Sequence, residues 1–149
     1  MEILRQLWHR WLGPGDPLAG DIPEHLRRGR LGEDAARRDL VRRGMKFLLA
    51  NFRSRHGEID LILRDDDCLV FVEVKTRSSE DWTRPAAAVD ARKRRLLSLT
   101  AEDYLRQLEN RRVKSRFDVV EVLLGAGEVR EIRHLVNAFP SDNRAPRRR

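Results

Sequence analysis

The chain has 149 residues and a single cysteine, Cys68, which excludes an internal disulfide. Its four histidines, His9, His25, His56 and His134, stand at no ligand spacing to one another, so no Cys/His zinc pattern is present. A reducing, cytoplasmic setting is the simplest expectation. No apolar run approaches the length that spans a bilayer, and the first residues lack the continuous apolar core of a secretory signal. No membrane partner is expected, and the sequence shows no internal repeat.

Charge, by contrast, is abundant. Charged residues make up 37% of the chain, and 31 Lys+Arg against 24 Asp+Glu leave a formal net charge of +7. A polyanion suits such a surface, with nucleic acid ahead of membrane. Hydrophobic residues at 40% suffice for one core, and the length fits one domain.

The most informative stretch is residues 57–77, GEIDLILRDDDCLVFVEVKTR. Two β-branched apolar runs flank a short acidic turn, which is a hairpin pattern. Strict alternation places Glu58, Asp60 and Ile62 on one side of the first strand and Ile59, Leu61 and Leu63 on the other. On the second strand Leu69, Phe71, Glu73 and Lys75 share a side, and Val70, Val72 and Val74 share the opposite one. A row that begins with Leu and Phe therefore ends in Glu and Lys. With the turn centred on Asp66 and Asp67, Asp60 falls opposite Glu73, and opposed residues stand roughly 5 Å apart at Cβ. Two carboxylates so close repel, and apolar surroundings make both charges costlier. A hard divalent cation relieves this, since Mg²⁺ takes carboxylate oxygens and keeps several waters. Lys75 adds a compact positive charge beside the same spot. A surface ion-pair cluster is the competing explanation for a lone Glu-x-Lys.

Around this hairpin the chain reads α-β-β-β-α-β-β: a mixed β-sheet flanked by helices, of α/β class. Residues 1–25 form an N-terminal amphipathic segment and linker, with Leu4, Leu7, Trp8, Trp11 and Leu12 making a helical stripe before the break at residues 13–17. The main domain spans residues 26–140. A helix is expected over residues 32–43, with Leu31, Ala36, Leu40 and Gly44 on or near its inner stripe and Glu33 at the start of it. Residues 46–53 make a first strand. Pro85 opens a second helix running to about Glu109, with Val89, Leu97, Ala101, Leu105 and Leu108 inward. Residues 117–124 and 129–136 are strands around a turn at 125–127. Asp118 and His134 read as structural, and His56 as a loop residue. Residues 141–149 form a basic tail, expected to be disordered.

The order of Glu33 on an opening helix, then Asp60, then Glu73-x-Lys75 resembles the PD-(D/E)XK nuclease superfamily with its restriction-endonuclease-like fold. More closely, the chain resembles the YraN-like family of bacterial proteins, itself similar to archaeal Holliday junction resolvases. The resemblance is carried by GEDAA at residues 32–36, NFR at 51–53, GEIDLI at 57–62, FVEVKTR at 71–77, Pro85, Val89, Lys93, RFDVV at 116–120 and NAF at 137–139. It covers roughly residues 26–139; residues 1–25 match nothing in it.

The resemblance implies a metal-dependent endonuclease acting on branched or otherwise structured DNA. Asp60 and Glu73 would bind Mg²⁺ or Mn²⁺, with the Val74 carbonyl an extra ligand and Glu33 serving a second metal or its water. Lys75 would orient the attacking water. Arg53, Arg77 and Lys93 would contact phosphates, and a homodimer would allow paired incisions. The rival readings are a nucleic-acid-binding protein without catalysis, and an assembly protein working through its tryptophan-bearing N-terminal segment.

Overall fold

The structure, a computed structural model, describes residues 22–78, 89–109 and 112–140. The expected N-terminal helix, Pro85 and the basic tail lie outside these residues. Seven elements follow in order: α1 (Glu24–Arg42), β1 (Lys46–Ser54), β2 (Gly57–Asp65), β3 (Cys68–Ser78), α2 (Ala91–Arg106), β4 (Lys114–Gly125) and β5 (Glu128–Phe139). The strands form one five-stranded sheet in the order β1-β2-β3-β4-β5. Only β3 and β4 run parallel, and α2 supplies the crossover that a parallel pair needs. The expected α/β class and element order therefore hold.

α1 starts at Glu24 rather than Gly32. Glycine reads as a helix breaker, but Gly32 is kept by contact: a Cβ added there would overlap the Thr76 hydroxyl on β3. The buried stripe is Gly32, Ala36 and Leu40, and Leu31 points outward at 38% exposure, contrary to expectation. Gly44 follows the helix at φ +98°, the left-handed conformation that glycine supplies at a helix end. α2 begins at Ala91 because Asp90 caps it, accepting the Lys93 N–H at 2.8 Å. Leu97, Ala101 and Leu105 are buried as their spacing predicts; Val89 is buried too, but it precedes the cap and so lies outside the helix in which it was expected. β4 and β5 run longer than expected, joined by Ala126 and Gly127, both at positive φ as a two-residue hairpin turn demands.

The sheet separates two cores. One holds Ile59, Ile62, Leu69, Phe71, Phe117 and Val119 with Leu97, Ala101 and Leu105 of α2. The other holds Leu61, Leu63, Val70, Val72, Val120 and Val122 with Ala36 and Leu40 of α1. Ile59 and Ile62 thus share a face, which corrects the strict alternation expected of β2. The slip falls at Asp60. The ladder to β1 pairs Ala50 with Leu61 and Phe52 with Ile59, which brackets Asp60 with Asn51. Asn51 sits at φ +53°, and that left-handed residue turns β1 over at the same step.

Asp118 on β4 is fully buried and structural. Arg116 Nε donates to it at 3.0 Å, His134 Nε2 at 2.7 Å and the Asn137 N–H at 2.9 Å. Burial alone would raise its carboxyl, but these hydrogen bonds outweigh burial and hold it below its ordinary value.

Candidate functional site

The hairpin register matches the expected turn, running from Asp65 opposite Cys68 to Leu61 opposite Val72. The ladder stops there, one step short of an Asp60–Glu73 pair. Instead the Asp60 carboxylate reaches across and accepts the Val74 N–H at 2.8 Å. A side chain thus replaces the backbone partner at the point where β2 and β3 part. Two carboxylates held directly opposite would repel, whereas an N–H donor offsets one of the charges.

Burial pushes the Asp60 carboxyl up to about 8, and the charge of Glu73 adds to the effect. The Val74 N–H opposes the rise, while Glu33 and Glu58 reinforce it. Glu33 is also raised, first by burial and then by the charges of Glu58 and Glu73. Arg30 and a hydrogen bond from Asn51 pull it back. Glu33, Asp60 and Glu73 therefore feel one another across α1, β2 and β3. Gly32 makes this proximity possible, because its lack of a side chain lets α1 close onto Thr76.

Sequence reasoning missed two members of this group. Glu58 is a fourth acid coupled to Glu33 and Asp60. Its signal was period-two spacing from Asp60 within GEID. Asn51 orients Glu33; its signals were its place in the NFR word of the resemblance and asparagine's tolerance of left-handed backbone, neither of which assigned it a role.

The basic candidates are placed less uniformly. Lys93 on α2 brings its Nζ to 3.4 Å from Glu73 Oε1. Arg53 is exposed on β1 and pairs with Glu58 at 2.9 Å. Arg77 is half-buried, with Nε 3.5 Å from Glu121 Oε1. Glu121 is fully buried on β4, and neither of its carboxylate oxygens accepts a hydrogen bond. Lys75 lies beside Glu121 in the parallel register and has no ion-pair partner among the described residues.

Would a metal fit? Among the described residues no three His, Cys, Asp or Glu side chains gather closely enough to hold an ion by themselves. That disfavours a closed, zinc-type cage. It suits Mg²⁺ or Mn²⁺, which use one or two carboxylates and retain waters. The raised Asp60 carboxyl beside Glu73 is the kind of donor pair a divalent cation would stabilise.

Known sequences supply a context for this geometry. Residues 32–122 match the family described as "Uncharacterised protein family UPF0102". A UPF0102 protein of Rhodococcus opacus (strain B4) is 44% identical over 118 residues, covering 79% of this chain and all of its own. A UPF0102 protein of Pelotomaculum thermopropionicum is 40% identical over 112 residues, 74% of this chain and 93% of its own. One from Porphyromonas gingivalis is 41% identical over 134 residues, 86% of this chain and 98% of its own.

Proposed function

The chain belongs to the UPF0102 family, and on that footing we propose that it is a divalent-metal-dependent endonuclease of structured or branched DNA. The observation that carries the reading is the buried Asp60 carboxyl, raised to about 8 by burial and by Glu73, with Glu33 close enough to add to it. The net charge of +7 supports a nucleic-acid substrate.

Asp60 and Glu73 would hold Mg²⁺ or Mn²⁺, with the Val74 carbonyl and Glu33 as further oxygen donors. The ion would supply an acidified water and offset charge on the phosphate. Asp60 is fixed by the Val74 N–H, so its free oxygen keeps one direction. Glu33 is steadied by Asn51. Lys75, lacking a carboxylate partner among the described residues, is available to orient a water and to face the phosphate. Lys93 neutralises Glu73 until substrate or metal competes for it. Arg53 and Arg77 would contact phosphates from the rim. A symmetric dimer would make paired incisions across a junction.

The test is a panel of junctions, flaps and duplexes with Mg²⁺ or Mn²⁺, run beside Asp60→Ala and Lys75→Ala. Metal-dependent cleavage lost in both variants supports the reading; cleavage unchanged in both belongs to a contaminant and overturns it. A second reading, a nucleic-acid-binding protein without catalysis, is favoured by the lack of a three-ligand group among the described residues. Salt-dependent binding with no cleavage under any divalent metal would establish it instead.

A further inference from the structure

Between α1 and the end of β3 lies a cleft of about 570 Å³. Its walls include His25, Arg28, Gly29 and Glu33 from α1, with Lys75 and Arg77 from β3. The α1 positions recur at helical spacing, so one face of the helix turns toward β3. Glu33 places the cleft next to the acidic cluster.

We propose that this cleft binds a phosphodiester of the nucleic-acid strand beside the acidic cluster, with Arg28 as its main cation and Gly29 as its opening. The proposal rests on the nucleic-acid reading above and does not require cleavage. Two independent observations carry it.

The first is unpaired charge. Arg53, Arg77, Lys93 and Arg116 all have carboxylate partners. Arg28 and Lys75, which share the cleft, have none among the described residues. The cleft lining sets Arg28, Lys75 and Arg77 against a single acid, Glu33, so its balance of charge attracts an anion, and a guanidinium fork suits phosphate oxygens.

The second is Gly29. A glycine inside a helix costs up to about 1 kcal/mol relative to alanine. Gly32 has a packing reason, because any side chain there would strike Thr76. Gly29 has no such reason: a Cβ added there meets nothing within 4 Å. The missing side chain leaves bare helix backbone on the cleft wall, where a ligand can approach closely. The volume falls in the range of small-ligand pockets, which suits one sugar-phosphate unit and not a duplex.

The experiment measures binding of the full chain to labelled single-stranded and junction DNA in EDTA, across salt concentrations. Three variants are compared, Arg28→Ala, Arg28→Lys and Gly29→Leu, with thermal melting alongside. Arg28→Ala should weaken binding and reduce the log–log salt slope by about one, while Arg28→Lys keeps the slope. Gly29→Leu should melt no lower than the parent, since leucine favours helix, yet bind more weakly. Thymidine monophosphate at millimolar concentration should compete poorly. Parent-like binding in both Arg28→Ala and Gly29→Leu overturns the proposal. So does efficient competition by the mononucleotide, which would make the cleft a nucleotide pocket. A protein that binds as described and never cuts would sink the endonuclease reading alone; one that cuts yet ignores these variants would sink only the cleft.

Discussion

Asp60 does with its side chain what an adjoining strand does with its backbone, and that choice leaves a carboxyl proton in place near neutrality. Its ordinary value of 3.8 moves to about 8 in the folded chain, burial being the first cause and Glu73 the second. The folded state therefore keeps a proton that the unfolded state has released, between about pH 4 and pH 8. Stability from this group is fullest below that window and falls as pH rises through it. Asp60→Asn should flatten the decline and raise Tm at pH 8, by roughly 2–4 °C for each kcal/mol recovered. Millimolar Mn²⁺ should raise the parent's Tm at pH 8 and leave the variant's unmoved. Melting curves at several pH values, with and without metal, check both. At this scale the sequence was readable where residue type conflicts with surroundings: Asp60, Glu73 and Lys75 stood out as charges in apolar rows. Glu58 was placed on the Asp60 side of its strand yet not counted among the site acids, and Asn51 was quoted within NFR without a role, because that role depends on a backbone angle that only the folded pair of strands imposes.

Among the elements, α1 shows how a glycine can be misread. Gly32 suggested a helix start, yet it is the point where helix and strand touch. Gly32→Ala should cost about 1–3 kcal/mol through overpacking. Adding Thr76→Ala should return part of that loss in a double-mutant cycle, because the Thr76 side chain is what the new methyl meets. Denaturant melts of the four proteins give the coupling. The β4–β5 hairpin depends on Asp118 in the same local way. Asp118→Ala leaves Arg116 and His134 without their shared carboxylate and should destabilise by about 3–5 kcal/mol, measured by urea unfolding. The pairing of Asp118 with Arg116 was foreseeable from their spacing; the contribution of Asn137, at φ +52°, was not.

Across the whole molecule, the mixed sheet was legible because apolar runs of strand length surround one longer helical pattern. A helix between β3 and β4 also implies a parallel pair. The slip at Asp60 was not legible, since it requires Asn51 and Asp60 to meet across β1 and β2. Binding to DNA should weaken steeply between 50 and 200 mM salt, with a slope of about 0.9 for each phosphate neutralised. Anisotropy titrations test this, and salt-independent affinity would contradict an electrostatic partner. The parallel pairing has one more consequence, in time. Glu33, Asp60, Glu73 and Lys75 all precede the crossover, while Glu121, which β4 sets beside Lys75, comes 46 residues after that lysine (121 − 75). At roughly 5–20 residues per second on the ribosome, the nascent chain carries its mutually repelling acids for seconds before the strand that completes their shelter has emerged.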